Sequence, residues 1–456
     1  MAKYATINPA TGERVAEFDV ISDAEARQIT DRASAAYPLW KKTELATRTA
    51  VLRRMAELHR ERAEELAAIL TLEMGKTRSQ ALGEVALVAN IYEYYADRAA
   101  EFMADERLAI VGKGSAYVRT EPIGALVGIM PWNYPYYQVA RFVAPNIALG
   151  NTIILKHARN CPQSALAIEG LFQDAGLPAD VYINAFASAA QISDMIADPR
   201  VQGVSLTGSE RAGSAVGEVA GRHMKKYVLE LGGSDPFIVL DDADIAAAAT
   251  AAATGRLGNC GQACTASKRF IVLDAVYTDF VEKFVAAVES FEIGDPTQKE
   301  TRLGPMASAE ALQDLDELVQ DAIAKGATVL TGGGRVEAAG AFYTATLLAD
   351  VSEDMRVFRE ELFGPAGVVY RVKDEVEAIA LANNSPFGLS SSIFTADVAR
   401  AENIASQLEA GMVWINSTSS SAPDLPFGGV KGSGVGRELA KFGFNEFANK
   451  KLVRVP

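Results

Sequence analysis

Between about residues 22 and 104, apolar residues recur every three to four positions with few Gly or Pro breaks, most clearly in Ala46–Leu58 and Ala63–Leu72. That period places them on one face of a helix and predicts a long all-helical opening. The pattern changes at Ile110–Thr120, where VGKGSAYVRT alternates weakly between Gly and Pro boundaries and predicts an extended arm or hairpin. From Gly124 short apolar runs alternate with helical stretches: ALVGIMP before a helix from Tyr136, NTIILK before Ser164–Ala175, GVSLTG before Glu210–Ala220. Buried strands separated by helices are the pattern of a parallel sheet with crossovers. A second series follows, with FIVL at Phe237, FIVL at Phe270, ATVL at Ala327 and SSIF at Ser391 beside helical stretches such as Ile245–Leu257 and Tyr277–Ser290. Two α/β domains are expected, divided near Leu231–Ser234, and the β-prone tail NEFANKKLVRVP is a partner for the arm. No fixed-period repeat is visible, which sets repeat architectures aside.

The chain's 456 residues exceed one core of ordinary size, which agrees with two domains. Its formal charge of −14 argues against broad binding to nucleic acid or anionic membranes, both of which need a basic face. A small-molecule substrate fits better. No apolar leader and no bilayer-length apolar run is present, so a cytoplasmic location is expected. Cys161, Cys260 and Cys264 are the only cysteines. They are too few for a disulfide framework and lack zinc-site spacing, so no metal is expected.

Three side chains stand out for chemistry. Cys264, in NCGQACTASKR, follows a predicted helix and loop with Lys268 and Arg269 close by. Positive charge or backbone donors there would favour a nucleophilic thiolate, although most free cysteines are simply small core residues. A thiol hydrolase would want a histidine base, yet His59, His157 and His223 all lie outside Gly-rich loops. Glu230 ends the apolar run YVLE just before Gly232 and Gly233. It is either a solvated strand end or a desolvated carboxyl suited to base catalysis. Asn133, in MPWNYP, is either a turn former or an oxyanion donor at a strand's carboxyl end. LTGSERAGSAVG offers Gly208 and Ser209 between strand and helix, either an ordinary turn or a pyrophosphate seat.

Taken in order, INPATGE, LEMGK, MPWNYP, LKHA, LTGSERAG, LELGGSDPFIVL, GQACTASKRFIV, EELFGP, FGLSSSIF and PFGGVKGSGVGREL resemble the aldehyde dehydrogenase superfamily from end to end. The likeness is closest to its succinate-semialdehyde dehydrogenase branch. It implies an α/β fold with a Rossmann-type cofactor domain (1–106 and 122–231), an α/β catalytic domain (232–428) and a β oligomerisation arm (107–121 and 429–456). It implies Cys264 as nucleophile, Glu230 as the base activating water, and Asn133 as the oxyanion donor. Lys156 matches a residue on the adenine ribose, Ser209 one on the pyrophosphate, and Glu361 with Phe363 the nicotinamide riboside holders; Trp132 lies in the same cofactor-side motif. A homodimer or homotetramer is implied.

Arg159 departs from the pattern, because many NAD-preferring members carry glutamate there. A cation favours the 2′-phosphate of NADP, with NAD as the alternative, unless Arg159 only points to solvent. Substrate choice falls on Arg141, one helical turn from Tyr137, with Ser421 assisting. Arg141 either binds the far carboxylate of a semialdehyde or ties its helix to a neighbouring acid. The branch's second arginine is Gly258 here, with Arg256 nearby. The expected activity is oxidation of succinic semialdehyde to succinate through a Cys264 thiohemiacetal and thioester. The alternatives are another aliphatic or aromatic aldehyde, the latter suggested by Tyr134, Tyr136, Tyr137 and Trp414, or a catalytically silent protein of the same fold. A reversible Cys260–Cys264 disulfide is a further option.

Overall fold

The computed structural model describes residues 3–456. Four helices, Asp23–Lys42, Leu45–Glu61, Ala63–Met74 and Arg78–Met103, form the opening. The first starts at a capping box, in which Ser22 Oγ accepts from Glu25 N–H while the Glu25 carboxylate accepts from Ser22 N–H. The third stops at Gly75, whose φ of 74° is left-handed. A Cβ there would lie 2.6 Å from Pro305, so glycine serves both the turn and the close packing. The opening is preceded by a hairpin, Tyr4–Ile7 with Arg14–Phe18, that the hydrophobic pattern did not reveal.

A six-stranded sheet runs in the order Gly434–Val435, Lys226–Glu230, Val201–Thr207, Ala125–Met130, Thr152–His157, Tyr182–Asn184. It is parallel except for the Gly434 edge. The chain builds outward from Ala125–Met130 on one side, then returns to build on the other. Strand order therefore reverses between Ala125–Met130 and Val201–Thr207, and the crevice at their carboxyl ends is where such sheets hold ligands. A seven-stranded sheet contains Thr328–Thr331, Thr346–Ala349, Ala366–Val372, Ser267–Leu273, Asp235–Val239, Ser390–Phe394 and Met412–Ile415 in spatial order. Only Thr328–Thr331 runs antiparallel. Its central strands are buried along their length, as covering both faces of a parallel sheet requires. Separate hydrophobic cores back the two sheets.

The tail does pair with the arm: Ala448–Val455 runs antiparallel to Ser115–Pro122, which also carries Glu106–Leu108. The rest of the 429–456 stretch that the sequence assigned to the arm goes elsewhere. Val430–Lys431 pairs with Phe387–Gly388, Gly434–Val435 pairs with Leu229 and Glu230, and Ala440–Glu446 is a helix whose Phe444 joins the first core. The physical reason is the glycine content of FGGVKGSGVG, which admits backbone where a side chain would collide. A Cβ on Gly428, whose φ is +145°, would lie 2.7 Å from Glu230 Oε1.

Candidate active site

The crevice opens into a cavity of about 260 Å³. Trp132 and Asn133 enter it from the loop after Ala125–Met130, Gly208 and Ser209 from the loop after Val201–Thr207, and Glu230 from the end of the next strand. Cys264, Glu361 and Phe363 complete it from the other half of the molecule. A larger cleft of about 630 Å³, bordered by Asn8, Glu64, Arg78 and Phe342, holds none of the predicted residues.

Cys264 is half-buried and follows a turn in which Asn259, Cys260 and Gly261 all have left-handed φ, at 56°, 54° and 70°. For the two residues with side chains such a conformation costs roughly 1–3 kcal/mol each and must be held in place. Asn259 Nδ2 donates to Asn133 O at 2.9 Å and to Gln262 O at 3.1 Å. The buried Arg256 guanidinium donates to the carbonyls of Gly261, Ser267 (3.1 Å) and Gly364 (2.8 Å). Arg256 thus clamps the loop and offers no second cation to a substrate.

Asn133 Nδ2 donates to Gln262 O at 3.0 Å, joining the oxyanion candidate to the nucleophile's own loop. Glu230 is buried, and neither carboxyl oxygen has a hydrogen-bond partner among the described residues. Burial pushes its pKa well above the ordinary carboxylate range; the nearby Arg141 opposes the shift and Glu438 reinforces it. Burial likewise pushes the Cys264 thiol up to about 12, against the pull of Arg141 and Lys268. Of the two cations expected near the thiol only Lys268 is there, since Arg269 donates to the carbonyls of Ser234, Leu381 and Ala382; Arg141 stands in its place, yet desolvation outweighs both. Histidine is out of play as a base at two of its positions: His59 and His157 are buried, each pushed down to about 4, with ring nitrogens engaged by Met55 O and Pro135 O.

The cofactor-side residues divide. Trp132 meets Phe363 edge to face at 5.5 Å across the cavity, and Ser209 caps the helix Glu210–Arg222. Glu361 Oε1 accepts from Gly233 N–H at 3.1 Å and lies 3.0 Å from Lys268 Nζ. Lys156 and Arg159 are outside the cavity, at the end of the adjacent strand, where Ile129 pairs with Lys156. Burial and the neighbouring Arg159 push the Lys156 ammonium down to about 8. Arg159 itself is exposed. A helix N-terminus, a carboxylate and, one strand away, two cations suit a long ligand with phosphates and ribose hydroxyls.

The substrate candidates form a chain. Tyr137 Oη donates to Ser421 Oγ at 2.8 Å, and Arg141 donates to Tyr137 Oη at 3.3 Å and to Thr207 Oγ1 at 3.1 Å. Arg141 is fully buried and ion-paired with Glu438, whose other oxygen accepts from Ser205 Oγ at 3.0 Å. None of the three predicted residues Tyr137, Ser421 and Arg141 lines the cavity; Arg141 stands behind Thr207, which does, and is tied to an acid. Neither the other tyrosines nor Trp414 lines the cavity, although Tyr134 meets Tyr137 edge to face at 6.0 Å. The Tyr134 ring sits under Lys76 Nζ at 3.7 Å, and the buried Tyr136 donates to Leu66 O. The Cys260–Cys264 disulfide finds no support: Cys260 is packed within the second core, whereas Cys264 packs against the first.

Glu438, Glu84 and the Lys268–Glu361 pair escaped the sequence reading. Lys268 and Glu84 left a trace, because a charge stands where the pattern demands an apolar residue. Lys268 lies in the wholly buried strand SKRFIVL, and Glu84 shares a buried helix stripe with Ala81, Val85 and Val88. Among the described residues no group of three His, Cys, Asp or Glu is arranged to hold a metal, and no helix is long and apolar enough to cross a membrane.

A family model described as the aldehyde dehydrogenase family matches residues 2–453. The succinate-semialdehyde dehydrogenase [NADP(+)] of Deinococcus radiodurans is 55% identical over 451 residues, covering 99% of this chain and 94% of that protein. A Mycobacterium bovis protein named succinate-semialdehyde dehydrogenase [NADP(+)] 1 is 43% identical, covering 98% of this chain and 99% of that protein. The crystal structure of succinic semialdehyde dehydrogenase from Streptococcus pyogenes with NADP+ superposes with a TM-score of 0.97 at 42% identity, covering 99% of this chain and 100% of that one. With a matching family model over nearly its whole length and a cavity lined by cysteine, glutamate and asparagine, the chain belongs to the aldehyde dehydrogenase family.

Proposed function

We propose that this chain oxidises succinic semialdehyde to succinate with NADP+, using Cys264 as nucleophile, Glu230 as base and Asn133 as oxyanion donor. The observation that carries the reading is the convergence of these three residues, from both halves of the molecule, on one cavity. After the thiol gives its proton to water, sulfur adds to the aldehyde carbon and forms a thiohemiacetal. Its oxygen is stabilised by the Asn133 amide and the Cys264 backbone N–H. A bound nicotinamide dinucleotide supplies the hydride acceptor, which leaves a thioester on Cys264. Glu230 then takes a proton from water as it adds to the thioester carbon, and the acid departs with the thiol restored. Burial raises the basicity of this carboxylate above that of an ordinary glutamate.

Gly208 and Ser209 would hold the pyrophosphate, Glu361 and Phe363 the nicotinamide riboside, and Lys156 the adenosine ribose. The exposed Arg159 supports NADP over NAD, since a guanidinium pairs with a 2′-phosphate. The names of the Deinococcus and Streptococcus relatives support both cofactor and substrate. The substrate's far carboxylate would meet Tyr137 Oη and Ser421 Oγ, with Arg141 acting through the tyrosine hydroxyl. Residues 1–106 with 122–231 serve as the cofactor domain and 232–428 as the catalytic domain. The arm, 107–121 with the strand Ala448–Val455, joins copies into a homo-oligomer working in the cytoplasm.

Absorbance of reduced cofactor is followed with succinic semialdehyde, glutaric semialdehyde and benzaldehyde, each with NADP+ and NAD+. Highest kcat/KM for succinic semialdehyde with NADP+, abolished in Cys264→Ala, is the expected result. Preference for benzaldehyde or for NAD+ would overturn the substrate or cofactor assignment respectively.

A further inference from the structure

The chemistry above makes no use of Lys268, although this cation touches both halves of the site. It is buried on the strand Ser267–Leu273, and its Nζ donates to the carbonyls of Ala263 (3.1 Å), Cys264 (2.8 Å) and Ala266 (3.2 Å). Three donors are all that an ammonium has. The Glu361 carboxylate, 3.0 Å away, is therefore held by charge and not by a further hydrogen bond. Packing leaves this group little room to rearrange. A Cβ on Gly232 would lie 2.5 Å from Glu361 Oε2, and one on Gly233 would lie 2.6 Å from the Cys264 carbonyl oxygen. The two glycines of ELGG thus allow the cofactor-side carboxylate and the nucleophile's backbone to close on one ammonium.

We propose that Lys268 is a positioning residue that couples occupancy at Glu361 to the reactivity of Cys264. The inference rests on the reading that Glu361 faces a cofactor ribose. A diol that donates to Glu361 takes up part of its negative charge. Lys268, released from part of that pairing, then bears more strongly on the Cys264 loop it already holds. The electrostatics run the same way, since Lys268 favours the Cys264 thiolate while Glu361 disfavours it. Weakening the acid's influence and strengthening the cation's both promote ionisation.

The test is the pH profile of Cys264 alkylation by iodoacetamide, with and without saturating NADP+, in the wild type, Lys268→Met and Lys268→Arg, with Cys264→Ala as background. In the wild type, cofactor should move the profile to lower pH. In Lys268→Met that displacement should shrink to less than half while NADP+, followed by protein fluorescence, still binds; Lys268→Arg should recover part of it. A displacement in Lys268→Met at least half that of the wild type, or none in the wild type, would overturn the coupling. Should Lys268→Met fail to fold, Glu361→Gln reads the same link from its other end, with the same criterion. Alkylation needs no turnover, so failure of the coupling is separable from failure of the proposed oxidation, which the wild-type substrate assay reports.

Discussion

At the scale of single residues, the decisive feature is a carboxyl kept from water. Between the ordinary value of a glutamate and the raised one of Glu230, the folded protein holds a proton that the unfolded chain has lost, so stability falls as pH rises through that window. Asp235 behaves alike: burial raises it to about 7, so it adds to the fall from about pH 4 to 7. Denaturant melts across this range should give a shallower fall for Asp235→Asn, whose amide oxygen still accepts from Ser390 N–H. Glu230→Gln removes the carboxylate without emptying the space. A burst of reduced cofactor close to one per site, then turnover lowered roughly 10²–10⁴-fold, is the expected stopped-flow trace; a linear trace without burst would place the loss before the thioester. Tyr137→Phe removes the hydroxyl that donates to Ser421 Oγ and accepts from Arg141. About a tenfold or greater rise in KM for succinic semialdehyde is expected, with little change for an uncharged aldehyde, since a hydrogen bond to a charged group contributes about 1.5–3 kcal/mol. The local motifs of Cys264, Glu230 and Asn133 each left an ordinary reading open; the ordered resemblance singled the three out together, and the structure brings them to one cavity. Arg141's true neighbour was not legible, because Glu438 is far away in sequence and nothing local to either residue names the other.

Secondary-structure elements explain where legibility stopped. Fully buried strands such as Asp235–Val239 and Ser267–Leu273 carry short apolar runs, from Phe237 and from Phe270, that announce them. Thr346–Ala349 and Ala366–Val372 are just as buried but short or ambiguous in pattern, and only their neighbours in the sheet make them strands. The helix Pro135–Leu149 has no polar face, because every residue in it is buried. Its start is fixed by Pro135 and by Glu84, which accepts from the N–H groups of Tyr136 (2.9 Å) and Tyr137 (3.1 Å). Lys76 pairs with Glu84 out of contact with water. Lys76→Met would leave that acid buried and uncompensated, a loss of about 3–5 kcal/mol. The double variant Lys76→Met/Glu84→Gln should melt at a higher temperature than Lys76→Met alone, and calorimetry on both decides it.

Over the whole molecule, two parallel sheets with separate cores face each other across a site that neither could make alone. The arm stands apart from both, with Leu452 and Val455 exposed on a strand that pairs only with Ser115–Pro122. Removal of residues 449–456 should lower the mass found by size-exclusion light scattering; an unchanged mass would show that copies of the chain associate elsewhere. The stretch before the arm is more consequential. Gly434 and Val435 complete the sheet beside Glu230, and Gly428 lies against its carboxyl. In the chain they come after every other strand of both sheets. A nascent chain can therefore assemble the rest of both sheets before the segment that closes around Glu230 has been made.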